Sequence, residues 1–192
     1  MKNRKTILVA FMLVACMVVG VGYAALSTEL SITGNATFKA DQAQNEFSGD
    51  IYFSETAVIG TPSNPTPAGT DTAVRTSDKA MDIAINSLSV KGDTTSFTFT
   101  IENSSLEHDA NLSIKTLKFM GVTITDDNSD GVYEGEWLDA KVEWIDGTTL
   151  SRATDETTPS TAQLKITFTL KKSPTETVVR SINIAIDATT SD

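Results

Sequence analysis

Apolar and polar residues alternate with period two through most of this chain. A segment patterned this way buries one face as a strand, not one stripe of a helix. The pattern is clearest towards the C-terminus, where Leu164, Ile166, Phe168 and Leu170 alternate, a Ser173-Pro174 turn follows, and Ile182, Ile184, Ile186 and Ala188 alternate again. Upstream, Leu30, Ile32, Gly34, Ala36 and Phe38 share one face of a candidate first strand, and Ile51 with Phe53 marks a second. Met81, Ile83 and Ile85 alternate, as do Phe97, Phe99 and Ile101, and Ala110, Leu112 and Ile114. Leu88 and Val90 resume with a one-residue offset, which predicts a bulge, and Leu117 with Phe119 shows another offset. Residues 132–138 and 140–145 supply further strands, and Asp146-Gly147 is a pair that favours a hairpin turn.

About nine or ten short strands punctuated by turn residues predict an all-β fold, an antiparallel β-sandwich, instead of a parallel α/β sheet. Thr and Ser fill many outward positions, which keeps strand propensity on a solvated face. Pro62, Pro65, Pro67 and Gly69 cannot supply regular ladder donors, so residues from about 60 to 79 are expected to form an exposed loop. What precedes that loop is too short to hold a core, so residues 25–192 are expected to be one domain.

Residues 1–24 differ in composition from the rest. Lys2, Arg4 and Lys5 precede Thr6 to Tyr23, which carry no charge and are dominated by apolar residues. That is the order of a secretory signal, a hydrophobic helix ahead of the domain. Gly22 and Ala24 stand at the spacing of a signal peptidase site, which places the expected cut between Ala24 and Ala25. Two alternatives remain open from sequence: the apolar stretch is long enough to stay as a membrane anchor, and Leu13-Val14-Ala15-Cys16 has the form of a lipidation site. Any membrane contact is expected through this segment alone, and the domain is expected outside the cytoplasm, secreted or held at the cell surface or matrix.

Charge then narrows the functions. Residues 1–24 hold three basic residues and no acid, so the remainder has 12 Lys and Arg against 25 Asp and Glu, and the net charge moves from −10 to −13. Binding to nucleic acid releases counterions only against a basic face, so no nucleic-acid partner is expected. The only cysteine is Cys16, within the signal, so the domain folds without disulfides and offers no thiol nucleophile. The one histidine, His108, lies in a turn between Glu107 and Asp109, where a solvated residue is the simpler reading. No HExxH, Walker or GxGxxG motif is present, and the chain is not expected to be an enzyme.

One segment does carry chemistry. From Asp126 to Asp146 there are eight carboxylates against a single Lys141. Within it, Asp126, Asn128, Asp130 and Gly131 have the D-x-N-x-D-G spacing of a calcium loop, in which alternate oxygens converge on one hard cation. Val132 would add a carbonyl and Glu134 the ninth position, but Trp137 stands where a bidentate Glu belongs and no helix flanks the loop. The competing reading is a polar turn whose Asn, Asp and Gly serve backbone geometry alone. No cofactor is required, and calcium is the one candidate. Tyr133, Trp137 and Trp144 lie in the same region and would form a glycan platform if exposed, or part of the core if not.

Three strings carry a family resemblance. The first is Gly22-Tyr23-Ala24-Ala25-Leu26-Ser27-Thr28-Glu29-Leu30-Ser31-Ile32-Thr33-Gly34-Asn35-Ala36; the others are Phe97 to Asn103 and Ile182 to Thr189. Together they resemble the SipW-dependent exported surface and biofilm-matrix proteins of the TasA and camelysin type. The resemblance implies a jelly-roll-like sandwich and self-association into a fibre, the N-terminal strand of one subunit completing the sheet of the next. Other matrix or surface proteins are further partners it allows. Leu30, Ile32, Ala36 and Phe38 are then the assembly strand. The metalloprotease role described for camelysin has no zinc motif to receive it here. The alternative outcomes are a first strand that folds into its own sheet, and a monomeric adhesion or glycan-binding module.

Overall fold

The computed structural model describes residues 30–40, 50–55, 57–64, 70–174 and 178–191. Among these the chain forms thirteen strands. They are β1 (Leu30–Ala40), β2 (Ile51–Phe53), β3 (Val58–Ile59), β4 (Thr72–Ser77), β5 (Ala80–Ile85), β6 (Thr94–Asn103) and β7 (Asp109–Phe119). The rest are β8 (Val122–Ile124), β9 (Val132–Tyr133), β10 (Leu138–Trp144), β11 (Thr149–Leu150), β12 (Ser160–Leu170) and β13 (Val178–Ser191). The fold is all-β, and the strands divide into two sheets. The first runs β11-β7-β13-β1-β5-β4 with β8 beside β7; the second runs β2-β6-β12-β10-β9 with β3 beside β6.

One apolar core joins the sheets. Ala36, Met81, Ile83, Leu117, Ile184 and Ile186 from the first sheet meet Phe53, Phe97, Phe99, Leu164, Ile166 and Phe168 from the second, all essentially unexposed. Alternation makes this possible: along β6 and β12 every second residue is buried. Phe97 packs with Phe99 and Phe168 at ring-centroid distances of 6.4 and 6.1 Å. Fully burying a side chain of this size contributes about 1.5–3 kcal/mol, so this trio anchors the second sheet.

The first sheet is mixed, not antiparallel throughout. β1 runs parallel to β13 from Leu30 opposite Val178 to Ala40 opposite Ala188, and antiparallel to β5 from Ile32 opposite Ile85 to Thr37 opposite Ala80. Period-two alternation says which face is buried but is blind to strand direction. Strands joined by tight turns must be antiparallel; β1 and β13 are separated by the whole domain, so no turn constrains them.

Three local expectations are corrected for related reasons. Within the expected loop, Thr72–Ser77 is the edge strand β4, paired with β5; it buries little, so no apolar alternation announced it. Leu88 and Val90 do not form a bulge. Residues 86–90 instead carry the chain from β5 in one sheet to β6 in the other, with Leu88 in the core and Val90 53% exposed. Asp146-Gly147 does make a turn, with Gly147 at φ +88°, but β11 beyond it pairs with β7 and not with β10. A dipeptide sets turn geometry, not the partner of the strand that follows. The second offset is a bulge: Ile114 faces Ile186 and Thr116 faces Ala185, which leaves Lys115 as the extra residue, ion-paired with Asp187 at 2.7 Å.

Candidate functional site

β1 occupies the middle of the first sheet and is bonded on both sides. Its following strand, β2, belongs to the other sheet, so no hairpin ties β1 to either neighbour. Ala36 is fully buried, and Gly34 is required by packing: a Cβ there would collide with the carbonyl oxygen and Cγ2 of Ile182 on β13. On the opposite face Asn183 Nδ2 donates to Asn35 Oδ1 across the parallel pair, and Thr37 Oγ1 donates to the Ile184 carbonyl at 3.4 Å. Leu30, Ile32 and Phe38 lie in the β1 ladder with Ala36. In this chain, then, the first strand completes its own sheet. Ala24, Ala25 and Cys16, with the expected signal, anchor or lipid site and any membrane contact, lie outside the described residues.

The acidic segment folds as a self-capped turn between β8 and β9. Asp126 Oδ1 accepts the Asp130 N–H at 3.0 Å and Oδ2 the Gly131 N–H at 2.9 Å, while Asp130 Oδ1 accepts the Val132 N–H at 2.9 Å. Ser129 and Gly131 take positive φ of +57° and +81°, the backbone geometry for which such residues are favoured. Glu134 is exposed, and its N–H donates to the Thr125 carbonyl at 3.1 Å. Asn128 is exposed at the tip. Among the described residues no three His, Cys, Asp or Glu side chains gather where they could hold a metal ion. Asp126 and Asp130 make the backbone hydrogen bonds of a polar turn.

The aromatics of this segment lean on the core. Tyr133, Trp137 and Trp144 are each half-buried against it. Lys172 Nζ lies 5.4 Å from the Trp137 ring centroid and 2.7 Å from Glu136, whose carboxyl it holds below the ordinary value by hydrogen bond and charge. Burial pushes the Tyr133 phenol up, and the charge of Asp126 adds to it. His108 is half-buried in its turn, 4.0 Å from Glu107. Its carbonyl accepts Asn103 Nδ2 at 3.0 Å. Asn103 is fully buried, its amide also donating to the Ser151 carbonyl while its Oδ1 accepts the Ser105 N–H, so it anchors the turn.

Two residues that the pattern did not single out organise the fold: Asp71 and Asp93. Asp71 is 4% exposed, and its carboxyl accepts the Asn86 and Ser87 N–H groups at 2.7 and 2.9 Å and the Ser87 and Thr95 hydroxyls at 2.6 Å each. Because Asp71 leads into β4 and Thr95 lies on β6, it clasps the two sheets together. The sequence signal would have been a lone acid flanking a strand that opens on Thr. No protein-family model matches the sequence, and no curated protein does either.

Proposed function

We propose that this chain is an exported structural subunit of an extracellular matrix or cell-surface fibre, of jelly-roll-like form, and that subunits join when β1 of one takes the place of β1 in the next. The observation that carries the reading is the seat of β1. It is an interior strand with no hairpin to either neighbour, and withdrawing it would leave two unpaired edges, on β13 and β5, facing one slot. A neighbour's β1 entering that slot would regain the same ladder and the same burial of Ala36, so exchange changes connectivity at little cost in contacts. Head-to-tail repetition of such an exchange makes an open filament. The resemblance at the signal junction and the apolar leader support export.

The test is electron microscopy of the chain secreted from an exporting host, at neutral and mildly acidic pH, together with N-terminal sequencing of the product. Filaments at lower pH, where carboxyl protonation reduces repulsion, and a start at Ala25 are expected. Filaments that persist after deletion of Ser27 to Phe38 would defeat the strand-exchange reading. Gly34→Val should block the slot for either strand and abolish both monomer folding and assembly, while monomers under all conditions would favour the adhesion module instead.

A further inference from the structure

The solvent face of the first sheet holds a groove of about 840 Å³ that crosses the strands from β7 to β4. The register lines up one row along it: Lys118, Asn183, Asn35, Asp82 and Val74, each opposite the next on adjacent strands. A second row of short side chains, Ser181, Thr33, Ala84 and Thr72, runs beside the first and keeps the floor low. At roughly 4.8 Å per strand the span from Lys118 to Asp82 is about 14 Å.

The geometry points to this groove as the binding site for a neutral, hydroxyl-rich linear glycan. β13, β1 and β5 are interior strands whose backbone groups are already paired, so over the central part of the groove a peptide cannot add to the sheet and recognition falls to side chains. At the centre, the Asn183 amide donates to Asn35, which leaves the Asn35 amino group as a donor and the Asn183 carbonyl as an acceptor on neighbouring strands. That pair matches two adjacent hydroxyls, each of which can both donate and accept. Lys118 and Asp82 flank the amides on either side and cancel in charge, so the groove does not select an anion, and the acidic chain repels one. Val74, 58% exposed, offers an apolar end to the C–H face of a ring. Among the described residues no aromatic side chain lines the groove, so single-site binding is weak and gains strength when many copies meet one polymer. The inference does not rest on fibre assembly, because β1 supplies Thr33 and Asn35 whether it comes from the same subunit or a neighbour.

The test is an NMR titration of the 15N-labelled monomeric full chain with cellohexaose, xylohexaose and maltohexaose, read at the side-chain amides. Shifts at Asn35 and Asn183 with at least one hexasaccharide are expected, with about tenfold weaker binding in Asn183→Leu, as for loss of a paired polar contact. Lys118→Met should weaken it less, and Glu136→Gln, on the acidic face, should leave it unchanged. The backbone spectrum of each variant reports folding independently of binding. Silence at both amides up to the solubility limit of every sugar overturns the inference. So do shifts centred on Trp137, or a response only to a Ser/Thr-rich extended peptide.

Discussion

Asp71 and Asp93 stand singly in the sequence and inside the fold, whereas the eight carboxylates from Asp126 to Asp146 crowd together and lie mainly at the surface. The first pair works as structure. Asp93 Oδ2 accepts the Ser89 and Val90 N–H groups at 2.8 Å each, with Asn64 and the Ser89 hydroxyl at 3.3 and 3.2 Å, and closes the crossover between the sheets. In the crowded segment Asp126 and Asp130 bond the backbone of their own turn, while Glu136, Glu143 and Asp139 meet Lys172, Lys141 and Lys171 at or near the surface. The difference teaches that charge density along a chain marks solvated faces. A polar group that matters to stability is one the fold must desolvate, and it needs several partners to be tolerated there.

The comparison can be broken most directly at Asp71. Asp71→Ala strands two hydroxyls, the buried Ser87 N–H and the part-buried Asn86 N–H, and the expected loss is about 3–5 kcal/mol in urea unfolding. A loss under about 1 kcal/mol would collapse the distinction between the two groups. Asp93→Asn should cost about 1–2 kcal/mol, and it carries a pH signature. Burial by itself would raise the Asp93 carboxyl, but the Ser89 and Val90 N–H groups and the Asn64 and Ser89 side chains outweigh it and hold the group below its usual 3.8. A lowered folded value means that its stabilisation is present above pH 3.8 and is lost as pH falls through the folded value. Asp93→Asn should therefore flatten the most acidic limb of the stability profile and leave the neutral plateau's shape intact.

Smaller effects sharpen the other side. Asp126→Asn should cost about 1 kcal/mol or less, since the turn keeps its glycine and one acceptor. The same substitution should lower the Tyr133 phenol titration without restoring it to 10, because burial is the larger cause of its rise. Glu136→Gln should leave stability unchanged within error at any salt concentration, because the Lys172 pair is exposed. Calcium added to wild type and Asp126→Asn in parallel checks the turn itself; equal thermal midpoints are expected for a backbone-capped loop.

The strands with the strongest alternation, β6, β12 and β13, were legible because burial of every second residue writes period two directly into the sequence. β4 was not, because an edge strand with exposed Val74 has little to bury. The acidic loop was legible as a turn from Asp126, Asn128, Asp130 and Gly131, since positive φ favours those residue types, but its spacing could not tell a cation from its own N–H groups as the partner. The groove was invisible for a different reason. Asn35, Asp82, Lys118 and Asn183 are ordinary outward residues on four strands, and only their register makes them a row.

By itself the sequence determined an all-β chain, the alternating faces of its longer strands and many of the residues that fill the core, but not most strand bounds: the expected strand over 132–138 is only Val132–Tyr133, and β10 starts at Leu138. Those properties depend on residue type and on spacing of two to five positions, which local geometry reads. Tertiary structure alone decided that β1 lies parallel to β13, that Asp146-Gly147 turns between sheets, that Asp71 clasps them, and that two asparagines 148 positions apart share a hydrogen bond. Each of these joins residues distant along the chain, and their free energy exists only once the intervening strands have packed.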